Sequence, residues 1–126
     1  MPSKKKILVV EDDVELSDFM VRTLEFQNYE VATAWSGEKA LVEAQKVPDL
    51  ILLDISLEGI GGLKVLELVR NDPKTSEIPV VMCSSANFPA NKAKARELGA
   101  DGFLTKPFKL DDFTATVDRL LGIQSA

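Results

Sequence analysis

Residues 48–54, Pro48-Asp49-Leu50-Ile51-Leu52-Leu53-Asp54, set four consecutive aliphatic side chains directly ahead of a carboxylate. An unbroken aliphatic run this short, entered through a proline–acid pair, reads as a strand covered on both faces. Two other runs share the design. Ile7–Val10 leads into Glu11-Asp12-Asp13, and Val80–Cys83 leads into Ser84. Glu30–Ala34 and Gly102–Leu104 bring the strand candidates to five, the last running through Thr105 into Lys106-Pro107. Val31, Ala32 and Thr33 mix polar with apolar character, which suits an edge. Helical patterns follow each strand candidate, so the alternation predicts one α/β domain built on a parallel sheet.

The helices follow from apolar residues recurring at the 3.6-residue period. Leu16, Phe19, Met20, Thr23 and Leu24 share one face of the first. Ser36 suits the N-cap of the second, with Ala40, Leu41 and Ala44 inward. Leu63, Leu66 and Val69 define the third, which stops before Asp72-Pro73. Leu110, Phe113, Val117, Leu120 and Leu121 make the fifth strongly amphipathic. The fourth starts at Pro89 and has only Ala90, Ala93 and Leu98 as a thin apolar face, with Gly99 as its C′ residue. A weakly anchored helix opens at low free energy, so this one is expected to move most.

At 126 residues the chain is long enough to bury roughly two-thirds of its unfolded surface around one core. No run approaches the roughly 20 apolar residues of a membrane span, and Met1–Lys6 is basic without the apolar segment of a signal peptide. A cytoplasmic protein that makes no membrane contact is expected. The single cysteine, Cys83, sits in an apolar run and reads as a packed core thiol. With no histidine in the chain, a metal site has to be built from oxygen, which selects hard cations such as magnesium. The net charge of −5 argues against direct nucleic-acid binding by this domain. Lys4-Lys5-Lys6 reads as part of a solvated basic tail over 1–5, and residues 122–126 as a short C-terminal tail.

In an open parallel sheet, ligands bind outside the carboxyl ends of the strands. Glu11, Asp12, Asp54, Ser84 and Lys106 all follow strand candidates, so all five are expected in that crevice. Each has an ordinary reading alone: Asp13 beside them is a helix N-cap, Asp54 a turn former, Lys106 a solvated loop lysine. Taken in register with the strand ends they form a carboxylate cluster, which is costly unless a cation neutralises it. Magnesium relieves that cost, Lys106 adds a point charge able to grip a phosphoryl oxygen, and phosphoryl chemistry on Asp54 follows.

The segments ILVVEDD at 7–13, PDLILLDISLEGIGG at 48–62, IPVVMCSSA at 78–86 and GADGFLTKPF at 99–108 resemble the receiver domains of two-component response regulators, chemotaxis-regulator-like. The resemblance covers essentially the whole chain. It implies a flavodoxin-like (βα)5 fold, a doubly wound five-stranded parallel sheet in the order 2-1-3-4-5. It implies that Asp54 accepts a phosphoryl group from a histidine kinase or histidine phosphotransfer protein. Magnesium would be held by Glu11, Asp12, Asp54 and the backbone carbonyl of Ser56. Ser84 would hydrogen-bond the phosphoryl group, Lys106 would offset its charge, and Phe103 would take the aromatic switch position. It further implies a cis Lys106-Pro107 bond, self-phosphorylation and self-dephosphorylation chemistry only, and a helix 4–strand 5–helix 5 surface that controls a downstream protein target. The domain would be a monomer or a phosphorylation-dependent dimer.

Some positions depart from the family pattern. Glu58 stands where proline is frequent, Gly61-Gly62 where an acid–glycine pair is common, and Ser84 in place of the commoner threonine. The Gly59, Gly61 and Gly62 cluster is expected to loosen the loop after Asp54. Three other readings compete. A phosphatase using Asp54 as nucleophile needs a second acid two residues on, where this chain has Ser56. A flavin binder needs a first loop that welcomes phosphate, and Glu11-Asp12-Asp13 repels it. A pseudo-receiver acting as a phosphate-independent interaction module would leave chemical positions unfilled, and here they are filled.

Overall fold

In a computed structural model, which describes residues 4–85 and 89–122, five strands and five helices alternate strictly along the chain. The strands are β1 (Lys6–Val10), β2 (Glu30–Ala34), β3 (Leu50–Asp54), β4 (Val80–Ser85) and β5 (Gly102–Lys106). They form one parallel sheet in the order β2-β1-β3-β4-β5, as the resemblance implied. The helices are α1 (Val14–Phe26), α2 (Gly37–Ala44), α3 (Gly62–Asn71), α4 (Pro89–Glu97) and α5 (Leu110–Leu120). The outer parts of both expected tails, residues 1–3 and 123–126, lie outside the described residues, as does Ala86.

The aliphatic runs are continuous because both faces of the sheet are covered. Leu8, Val10, Ile51, Leu53, Val80 and Met82 point into one core with α2 and α3. Ile7, Val9, Leu50, Leu52, Val81 and Cys83 alternate with them into a second core, with Met20 and Leu24 of α1 and Phe113 and Val117 of α5. The mixed strand β2 lies at an edge. Asp13 caps α1 by accepting from Leu16 N–H at 3.1 Å, and Ser36 caps α2 by accepting from Lys39 N–H at 3.2 Å.

Some expectations change in detail. β4 and β5 each run two residues past their predicted ends, so Ser84 and Lys106 lie within the strands. On α1, Phe19 is exposed, and Leu110 at the start of α5 is exposed too. The inward residue of α4 is Ala95, fully buried, while Ala90 and Ala93 face solvent. Thin anchoring holds: of the predicted stripe Leu98 packs against the core, and Ala95 takes the place of Ala90 and Ala93. Gly99 ends α4 at φ 98°, the left-handed conformation that favours glycine.

Arg70 fastens the far end of this region. Its guanidinium donates to Gly99 O at 3.0 Å, Ile78 O at 2.7 Å and Ser76 O at 3.2 Å, and pairs with Asp101 Oδ2 at 2.7 Å. The same Asp101 oxygen accepts from Val80 N–H at 2.9 Å. One side chain thus ties α3 to the starts of β4 and β5 and to the turn after α4.

Candidate functional site

Parallel register delivers the predicted residues to one end of the sheet. Val10 pairs with Leu53 and Asp54 with Cys83, so the residues that close β1 and β3 arrive side by side. Glu11 extends the ladder by one more bond, its N–H donating to Ala34 O at 3.1 Å. Lys106 pairs in register with Ser85, and the two-residue period puts it on the same face as Leu104 and Cys83. Glu11, Asp12 and Asp54 each offer a carboxylate oxygen, all within 4.8 Å of one another. Lys106 Nζ lies 2.7 Å from Glu11 Oε1 and 3.2 Å from Asp54 Oδ1.

Burial makes this arrangement electrostatically tense. Glu11 is 2% exposed and Asp54 5%, whereas Asp12 reaches solvent. Burial, reinforced by the neighbouring Asp54 carboxylate, pushes Glu11 up to about 8, and Lys106 only partly counters it. Burial also pulls down on Lys106, yet Glu11 and Asp54 outweigh that and hold its ammonium above the ordinary lysine range. Glu11 Oε2 is buried without a hydrogen-bond partner among the described residues. A buried, solvent-shielded carboxylate oxygen beside two further carboxylates is what a divalent cation satisfies, and an all-oxygen donor set fits a hard one.

The other predicted residues sit around this cluster in distinct places. Ser56 N–H donates to Asp54 Oδ1 at 3.2 Å, so the residue expected to supply a carbonyl already touches the central aspartate. Ser84 is 2% exposed, and among the described residues its hydroxyl has only a long 3.5 Å contact to Ser85 O. Strand alternation puts Ser84 on the opposite face from Cys83, with Met82 and its β5 partner Phe103. Neither Ser84 nor Phe103 hydrogen-bonds to the acid–lysine cluster. Phe103 is half-buried, with Lys92 Nζ 5.8 Å from its ring centroid, a cation–π contact that no sequence pattern announced. The Lys106-Pro107 bond is cis.

Gly62, in the glycine cluster after Asp54, also has a steric role. Gly62 is the first residue of α3, and a Cβ there would stand 2.1 Å from the Asp54 carbonyl oxygen. Only glycine lets α3 begin against the backbone of the central aspartate. Gly59 and Gly61 take positive φ of 81° and 78°.

Comparison with known proteins agrees with this geometry. Residues 7–118 match the family described as the response regulator receiver domain. The DNA-binding dual master transcriptional regulator RpaA of Synechocystis is 38% identical over 92% of this chain and 48% of its own length. The chain spans about half the length of the curated relatives it matches. A putative response regulator from Chloroflexus aurantiacus, known from its crystal structure, is 31% identical with a TM-score of 0.91, over 95% of this chain and 99% of that one. The receiver domain of the sensor histidine kinase PA1611 from Pseudomonas aeruginosa shares the fold. It is 22% identical with a TM-score of 0.87, over 95% of this chain and 99% of that one, and its structure carries a magnesium ion in the active-site cleft. The chain belongs to the response regulator receiver domain family.

Proposed function

We propose that this domain is a phosphoacceptor switch in which Asp54 takes a phosphoryl group from a phosphohistidine on a histidine kinase or phosphotransfer protein. The observation that carries the reading is the convergence of carboxylate oxygens of Glu11, Asp12 and Asp54 within 4.8 Å, with Lys106 bridging two of them and Glu11 Oε2 buried without a partner among the described residues. Glu11, Asp12, Asp54 and the carbonyl of Ser56 would hold magnesium, as the PA1611 receiver domain holds it in its cleft. When bound, the ion supplies charge neutralisation to the transferred group.

The chain's own residues account for the rest. Lys106 and the Ser56 N–H both engage Asp54 Oδ1, fixing the carboxylate and leaving Oδ2 as the acceptor oxygen. As that oxygen bonds to phosphorus, the phosphorus–nitrogen bond of the donor breaks and its electron pair returns to the imidazole. Lys106 then exchanges its carboxylate contact for a phosphoryl oxygen. Ser84, whose hydroxyl makes a long 3.5 Å contact to Ser85 O, would turn toward the new acceptor oxygens. It shares a sheet face with Phe103, beside the thinly anchored α4, so a shift of Ser84 would pass to the α4–β5–α5 surface that engages a downstream protein. Its activity is confined to its own phosphorylation and dephosphorylation. We assign the domain protein partners rather than nucleic acid, in line with its net charge of −5.

The test is labelling by a small acyl phosphate such as acetyl phosphate, read by intact-mass spectrometry. The wild type should gain one phosphoryl group in magnesium and none in EDTA, and Asp54→Asn should gain none in either. A wild type that stays unlabelled in excess donor and magnesium would refute the reading.

A further inference from the structure

We propose that Glu38, in the first turn of α2, is a positioning residue that clamps the loop carrying Ser56 and so sets the affinity of the site for its cation. The inference rests on the reading of Glu11, Asp12, Asp54 and Ser56 as the ligand set.

The loop in question joins β3 to α3 across residues 55–61. Its base is well held. Ile55 N–H donates to Cys83 O at 2.9 Å, Gly62 N–H donates back to Ile55 O at 2.9 Å, and Leu57 is buried. Its tip is not. Residues 58–60 are exposed, and Gly59 and Gly61 bring the conformational freedom of glycine to that stretch. Among the described residues, one hydrogen bond from outside reaches this tip: Ile60 N–H donates to Glu38 Oε1 at 3.0 Å.

Two glycines show that this contact is built into the packing. A Cβ on Gly59 would stand 2.4 Å from Glu38 Oε1 and 2.6 Å from Oε2, so the carboxylate lies in the space a side chain would fill. A Cβ on Gly37 would stand 2.5 Å from Ile60 Cγ1, so the Ile60 side chain lies over the start of α2. Each segment lacks a side chain where the other inserts one. Without the Glu38 bond the tip regains backbone freedom, the motion of residues 58–60 reaches Ser56 through Leu57, and the Ser56 carbonyl is less preorganised for a cation.

Magnesium titration of the whole chain by calorimetry, with amide hydrogen exchange at Ile60, tests this. Glu38→Ala should weaken magnesium binding about three- to tenfold, the effect of one hydrogen bond of ordinary net strength. It should speed exchange at Ile60 and leave the labelling rate at saturating magnesium within about twofold. Glu38→Gln keeps an acceptor while removing the charge, so it should bind nearly as the wild type does. Gly59→Ala should weaken binding from the loop side, and by less than its full effect when Glu38 is already Ala. Equal affinity and exchange in Glu38→Ala and wild type overturns the clamp. A loss in Glu38→Gln as large as in Glu38→Ala also overturns it, because charge alone would then be acting. A wild type that binds no magnesium removes the ligand set and the role of Glu38 with it, and that result is distinct from either of these.

Discussion

Replacing Glu11 by glutamine should make the metal-free domain more stable at mildly alkaline pH, although it removes a salt bridge. In the folded protein Glu11 is raised from 4.5 to about 8, chiefly by burial. Between those values the folded state holds a proton that the unfolded chain releases. Stability therefore falls as pH rises through this window, with a limiting slope of about 1.4 kcal/mol per pH unit. From about pH 5 to about pH 8 the wild type should lose about 3 kcal/mol in EDTA on this account. The lowered Asp72 and Glu43 contribute stability that is lost only as pH falls below the ordinary carboxylate range. The raised Lys106 contributes stability that is lost only above the ordinary lysine range, so none of the three distorts the window. Glutamine cannot titrate and still offers Lys106 an acceptor, but it trades a charged partner at 2.7 Å for a neutral one, an offset of about 1–2 kcal/mol. Urea denaturation in EDTA should thus show two lines that cross: the wild type equal or better at about pH 5, Glu11→Gln better by about 1–2 kcal/mol at about pH 8. Magnesium at about a hundred times its Kd should return about 2.7 kcal/mol to the wild type and much less to the variant. Parallel lines in EDTA, or a wild-type line that climbs with pH across this window, would refute the account of a buried carboxylate awaiting a cation.

Other substitutions test the frame around the site. Arg70→Met strips three backbone carbonyls and Asp101 of their donor and should cost about 2–4 kcal/mol by urea denaturation; Arg70→Lys should recover only part, since an ammonium lacks the fork geometry. Gly62→Ala puts a Cβ 2.1 Å from the Asp54 carbonyl oxygen, so magnesium-dependent labelling by acetyl phosphate should fall at least about tenfold; unchanged labelling would show that α3 can retreat without moving Asp54. Burial pushes the Cys83 thiol up to about 12, so iodoacetamide at about pH 8 should modify the native protein only as fast as it unfolds, a rate that mass spectrometry can follow.

The parts of this molecule that were legible in its sequence share a physical cause. A strand buried on both faces must be an uninterrupted aliphatic run, and where the run stops the sheet edge begins. Glu11, Asp54 and Lys106 could be placed in one crevice because the ends of Ile7–Val10, Leu50–Leu53 and Gly102–Leu104 were visible, and parallel register did the rest. The two-residue error at the ends of β4 and β5 did not matter, since it left Ser84 and Lys106 at the same edge. Helix faces were less legible where few apolar residues carry the signal. Three alanines and one leucine cannot fix the phase of α4, and Ala95 rather than Ala90 or Ala93 turned inward. Least legible were the bonds between segments that no periodicity links. Glu38 to Ile60 and Arg70 to Gly99 span 22 and 29 residues, and both depend on glycine conformations that only the assembled fold selects. A glycine read along the chain means freedom; read in the fold it often means that something else occupies the space. The cluster Gly59-Ile60-Gly61-Gly62 carries both meanings at once. Its chain entropy is what makes an outside clamp necessary, and its missing side chains are what give Glu38 and the Asp54 carbonyl room to approach.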